Sequence, residues 1–159
     1  MDAVAYPEPS IINFVNNNLV ALRIPADDKI LGPRFKIKWT PTLIVLDGDG
    51  IEHYRTLGFF SPQELIPSLL LGMGKAYFNK PDRPKATSFF ERIIKEYPKS
   101  FQTPEAIYLQ GVSRFIETHD VNNLIEIYDR LAAEHPNSEW LMRADPYRLL
   151  KKQTREDQS

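Results

Sequence analysis

Side chains that form or break covalent bonds are scarce in this chain. It has no cysteine, which excludes disulfides, thiolate metal sites and cysteine nucleophiles. His53, His119 and His135 are scattered and share no spacing with carboxylates that would build a metal site. Asp47 and Asp49 alternate as calcium ligands do, but the downstream ligand series is missing. The stretch Asp47-Gly48-Asp49-Gly50 reads instead as turn chemistry, because glycine accepts positive φ at little cost. No glycine-rich phosphate loop and no activated serine is present, and no cofactor is expected. Binding is expected of this chain rather than catalysis.

The bulk numbers bound the setting for that binding. The chain has 159 residues, 42% hydrophobic and 26% charged, with a formal net charge of −1. That is an ordinary globular balance, long enough for one domain or two small ones. Neither half is a polycation, so nucleic acid is not an expected partner. No apolar run approaches the roughly 18 residues of a membrane span. The Leu65–Met73 stretch is interrupted by Pro67, Ser68 and Gly72. The first residues carry no basic region followed by an apolar one, so a cytoplasmic product is expected, with no membrane partner.

Local patterns predict the elements that must carry the binding surface. Pro9 to Asn17 reads as a short helix with Ile11, Ile12, Phe14 and Val15 on one face. Leu19 to Ile24 has strand propensity and is predicted as a strand. A helical turn or two is expected within Asp27 to Phe35. Thr42 to Leu46 and Glu52 to Leu57, joined by the glycine turn, predict an antiparallel hairpin. Ser61-Pro62-Gln63-Glu64 reads as a capping box that opens a long helix. Helices are then expected at 62–79, 83–97, 103–118, 121–135 and 138–150, the last broken near Asp145-Pro146. Thr154 to Ser159 reads as a polar, frayed tail.

The helical part repeats itself. Phe90-Glu91-Arg92-Ile93-Ile94-Lys95-Glu96-Tyr97-Pro98-Lys99-Ser100 aligns with the segment from Tyr128 to Ser138, 38 residues later. Leu70, Gly74, Tyr77, Ala86, Phe90, Ile93 and Pro98 correspond to Tyr108, Val112, Phe115, Leu124, Tyr128, Leu131 and Pro136. These gaps resemble the tetratricopeptide repeat, a helix–turn–helix of about 34 residues. Small residues at Gly74 and Ala86 let two helices approach, aromatics at Tyr77 and Phe90 fill the space, and proline stops the second helix. Val112 and Leu124 replace the small residues in the second copy, so its helices are expected to sit farther apart. Two copies need a cap, and the preceding domain and the helix around Trp140 are the candidates. The resemblance implies a concave face made by the first helix of each repeat: Ser68, Leu71, Lys75, Phe78 and Asn79, then Ala106, Leu109, Ser113, Ile116 and Glu117. Leu71, Phe78, Leu109 and Ile116 would form its apolar strip, to hold a peptide or to pack against a neighbouring element.

The first part resembles another family. Trp39-Thr40-Pro41-Thr42 leading into an apolar strand, a glycine turn, a return strand, Gly58 and a helix is similar to the second half of thioredoxin-like domains. The resemblance covers residues 1–79 and implies that Pro41 is a cis proline. It also implies that the backbone before it, at Thr40, pairs with an extended peptide while Trp39 offers an aromatic contact. The family's Cys-x-x-Cys segment and central strand would precede the Tyr6-Pro7-Glu8-Pro9 region, and the chain starts too late to hold them. One expectation is therefore an N-terminally truncated piece of a thiol–disulfide oxidoreductase whose reactive pair lies upstream of Met1.

Together these readings predict an α/β start followed by an all-α part. Residues 1–79 form a partial thioredoxin-like domain. Residues 66–136 form two repeat-like hairpins that share their first helix with it. Residues 137–152 form a capping helix, and residues 153–159 a tail. The expected function is a non-redox protein-interaction module with chaperone-like binding of peptides or proteins. Unpaired sheet edges are expected to allow self-association.

Overall fold

The computed structural model describes residues 1, 5–80 and 82–156. Nine elements follow one another: α1 (Pro9–Asn18), α2 (Leu31–Arg34), β1 (Thr42–Leu46), β2 (Glu52–Leu57), α3 (Pro62–Phe78), α4 (Arg83–Glu96), α5 (Thr103–Thr118), α6 (Asn122–Glu134) and α7 (Glu139–Glu156). A short antiparallel sheet thus leads into a helical array. Among the described residues, no helix is long and apolar enough to cross a membrane.

The hairpin pairs Thr42 with Leu57, Leu43 with Thr56, Ile44 with Arg55 and Val45 with Tyr54, then slips so that Leu46 faces Glu52. His53 is the extra residue of this bulge. Gly50, at φ 77°, closes the turn. The inward face, with Val45 and Tyr54, lies on α3 over Gly72. A Cβ at Gly72 would stand 2.6 Å from Cγ2 of Val45 and 2.9 Å from the Tyr54 ring. Glycine here serves contact between sheet and helix.

Leu19 to Ile24 is not a strand, contrary to its propensity. Val20 and Leu22 are 100% and 74% exposed. A strand needs a neighbour to pair with, and among the described residues the sheet consists of β1 and β2. Local propensity loses to the missing partner.

Pro62 starts α3 after Ser61, as expected, but the capping box does not form. The Glu64 carboxylate reaches across the array, accepting hydrogen bonds from Ser100 Oγ at 2.7 Å and the Phe101 N–H at 3.3 Å. It thereby ties the start of α3 to the corner between α4 and α5.

The core of the first helix pair holds Leu65, Leu70, Leu71, Ala86, Phe90 and Ile93, joined by Ile11 and Phe14 from α1 and Ala106 from α5. Gly74 lies under the Phe90 ring, where a Cβ would overlap it. In the second pair, the close approach is made by Gly111 under Ile127. Each of these lies one residue before the position named by the 38-residue shift. Substituting Val112 and Leu124 for small residues therefore does not push the helices apart, because Gly111 takes the contact.

The corner between helix pairs recurs bond for bond. Tyr97 N–H donates to Ile93, Ser100 N–H to Tyr97 and Thr103 N–H to Ser100; His135, Ser138 and Leu141 do the same with Leu131, His135 and Ser138. Gln102 N–H donates to Ser100 Oγ at 3.1 Å, and Trp140 N–H to Ser138 Oγ at 3.1 Å. Ser68, Ala106 and Ala144, spaced 38 residues apart, are all fully buried. The helix α7 therefore occupies the place of a third first-helix. It runs through Pro146 without breaking, to Glu156. Proline forfeits one backbone bond there, while the Tyr147 hydroxyl, 2.9 Å from that of Tyr108, and Lys151, on the Asp129 carboxylate at 2.7 Å, hold α7 in place. Residues 157–159 of the expected tail lie outside the described residues.

Candidate functional site

The open end of the hairpin carries exposed apolar side chains, Trp39, Leu57 and Phe59, beside an unpaired strand edge of the described residues. Asp28 sets up the approach: its Oδ1 accepts from the N–H groups of Leu31 at 2.6 Å and Ile30 at 2.9 Å, opening α2. Those bonds, Leu31 first, hold its carboxyl below the usual range. After α2 the chain turns at Lys36, whose φ is 53°, with Ile37 N–H donating to Gly32 at 2.9 Å. Arg55 then pins the segment to β2, donating to the Phe35 carbonyl at 2.8 Å and to Glu52 at 2.6 Å.

Trp39, Thr40 and Pro41 follow. The Thr40–Pro41 bond is cis. The Trp39 carbonyl accepts from the Thr42 hydroxyl at 2.6 Å, and the Pro41 carbonyl from Gly58 N–H at 3.0 Å. Along an antiparallel strand, alternate residues turn both backbone groups to the same side. With Pro41 turned to β2, Leu43 and Val45 follow it, while Thr42 and Ile44 face away. No other strand of the described residues pairs with that edge. Around it Trp39 is 68% exposed, Leu57 59% and Phe59 79%. Trp39 and Thr40 were named from sequence; Leu57 and Phe59 were not. Their signal lay in the outward register of Leu57 and in two aromatics following Gly58, which stands at φ 97°.

The helical positions are placed differently from an open groove. Leu71, Ser68, Ala106 and Ser113 are fully buried, so a partner cannot reach them. One stripe of α3 is taken by the hairpin itself. Ser68 Oγ lies 3.1 Å from the Tyr54 hydroxyl. The Lys75 ammonium sits 4.9 Å over the Tyr54 ring and is paired with Glu105 of α5. Asn79 Nδ2 donates to His53 Nδ1 at 3.2 Å. Burial pushes the Tyr54 phenol pKa up, against the Ser68 bond. Phe78 packs edge-on against Phe90. Ser113 donates to the Leu109 carbonyl at 2.9 Å. Leu109 and Ile116 are half-buried, and Glu117 is exposed.

Asp47 does turn chemistry and more. Its Oδ1 accepts from the N–H groups of Asp49 at 3.0 Å and Ile51 at 2.9 Å. Its Oδ2 meets His53 Nε2 at 2.9 Å and Lys80 Nζ at 3.0 Å. The His53 bond first, then Ile51 N–H and Lys80, hold the carboxyl far below its usual value. The network closes the hairpin tip onto the end of α3. Among the described residues, no group of three or more His, Cys, Asp or Glu side chains could hold a metal.

The structure is a helical array with a β-hairpin laid on its first helix. The tetratricopeptide repeat family model matches residues 68–100, which take in most of α3 and all of α4. The helical part of the chain thus carries a tetratricopeptide repeat. No curated protein and no solved structure matches the chain.

Proposed function

We propose that this chain is a non-redox, cytoplasmic protein-interaction module that captures an extended segment of a partner along the free edge of β1. One observation supports the reading: the backbone of Thr42 and Ile44 faces away from β2, beside the exposed side chains of Trp39, Leu57 and Phe59. Strand addition supplies main-chain hydrogen bonds, and neighbouring apolar side chains supply affinity. In this reading, residues 1–79 act as a thioredoxin-like unit without redox chemistry, and the repeats of 66–136 with the cap at 137–152 hold it rigid. Holding an unfolded client, as a chaperone does, requires nothing further. A second copy would use the same edge for self-association.

The test is slowed aggregation of a chemically unfolded client. The full chain is expected to retard it, and Trp39→Ala with Phe59→Ala to weaken capture about tenfold, given that exposed aromatics dominate such contacts. Equal behaviour of the two proteins would overturn the reading.

A further inference from the structure

We infer that the segment captured at this edge is acidic: an extended peptide whose apolar residues meet Trp39 and Phe59 and whose carboxylates meet Arg34, Lys36 and Lys38. The inference rests on the proposed strand-edge site and adds the chemistry of its occupant.

Residues 34–38 read Arg-Phe-Lys-Ile-Lys, with three cations and no carboxylate. Their exposure alternates. Arg34, Lys36 and Lys38 are exposed, whereas Phe35 and Ile37 are half-buried. The run leads directly into Trp39 and Thr40, so the cations line the approach to the open edge. Glu52 of β2 is committed to Arg55 at 2.6 Å. Lys36 acts on Glu52 only through space. Several other cations are paired internally: Lys75 with Glu105, Lys80 with Asp47, Arg92 with Glu96, Arg130 with Glu134 and Lys151 with Asp129, while Arg34 lies 5.6 Å over the ring of its neighbour Phe35.

A chain of net charge −1 thus sets three exposed cations next in sequence to the exposed Trp39. An incoming strand is held by main-chain bonds that read no sequence, so the flanking charges and aromatics set its preference. Nucleic acid fits this edge poorly. Three cations are few for tracking a phosphate backbone, and the free N–H and C=O groups of a strand edge match peptide.

Three fluorescein-labelled octapeptides test the inference by anisotropy with the full chain: alternating Glu-Val, alternating Gln-Val and alternating Lys-Val. The acidic peptide is expected to bind about tenfold more tightly than the neutral one at low salt, the sum of several exposed ion pairs. That advantage should shrink at high salt, as the Debye length falls from about 30 Å near 0.01 M to about 10 Å near 0.1 M. Lys36→Glu with Lys38→Glu should reverse the order of the acidic and basic peptides, while Trp39→Ala with Phe59→Ala weakens all three alike. Equal binding of acidic and neutral peptides, untouched by charge reversal, overturns the acidic preference and leaves the edge site standing. Binding untouched by Trp39→Ala with Phe59→Ala overturns the edge site as well. A dimer seen by light scattering that no peptide displaces would assign the edge to a second copy and overturn the inference.

Discussion

The two ends of the helical array are finished differently. At its start, one stripe of α3 is covered by the hairpin: Tyr54 on Ser68, Val45 on Gly72 and His53 on Asn79. At its end, α7 takes the place of a third first-helix, but Met142 and Leu149 are 72% and 54% exposed. Leu149 stands 38 residues after Gly111, which lies under Ile127 of its own second helix. Met142 stands two such shifts after Ile66, which is 8% exposed. The first helix of a repeat needs cover, and a strand pair supplies it as well as a helix does. The hairpin is therefore more than a site carrier. It caps the array, and in doing so it holds its own open edge in fixed orientation.

The hairpin's seat on α3 is where the comparison breaks most easily. Gly72→Leu would drive a branched side chain into Val45, which is 7% exposed, and into the Tyr54 ring. Overpacking of this kind costs about 1–3 kcal/mol, and the absence of room on either side places the expected loss near the top of that range. Urea unfolding would read the loss as a lowered midpoint. Amide exchange should quicken in β1 and β2 and stay unchanged in α6. Unchanged exchange in the strands would mean that the hairpin is not held by this contact.

Much of this front end was legible in the sequence, and the illegible parts share a cause. The hairpin at 42–57, the start of α3 at Ser61-Pro62 and the repeated corner at Tyr97–Ser100 and His135–Ser138 are local patterns, and local rules found them. The strand expected at 19–24 failed because pairing is non-local. The capping box failed because Glu64 met a distant Ser100 that competes for its carboxylate. Gly111 was overlooked because a shift of 38 aligned Val112 with Gly74, while the helix turned to present the residue before it. At the site, Trp39 and Thr40 came from the resemblance to thioredoxin-like domains and from no local rule. Phe59 needed the structure, since nothing local shows that an aromatic after a turn is left uncovered.

Asp47 offers a gentler way to loosen the same end. The sign follows from its lowered pKa, caused first by His53. A depressed carboxyl contributes stability above its unfolded value of about 3.9 and loses that contribution as pH falls toward its folded value. Asp47→Asn is therefore expected to lower the urea midpoint at pH 7. The gap from the parent protein should narrow as pH drops below about 4, where Asp47 of the unfolded chain takes up a proton that the folded state still refuses. A gap that stays constant between pH 7 and pH 3 would show that the ionised carboxylate contributes nothing to holding the tip.

The far end should respond least. Truncating an apolar side chain costs stability in proportion to what surrounds it, and little surrounds Met142 or Leu149. Met142→Ala and Leu149→Ala are each expected to shift stability by no more than about 0.5 kcal/mol, the range of ordinary surface changes. The shallow depression of about 430 Å³ lined by Tyr128, Leu141, Met142 and Asp145 leaves room for the remaining atoms without a new cavity. A loss of about 2 kcal/mol or more would mean that α7 is covered in solution after all. Raising the protein concentration would then separate the causes: cover by a second copy makes the loss depend on concentration, whereas cover from within the chain leaves it fixed. The two ends would in that case differ in what covers them, strand pair or partner, and not in whether they are covered.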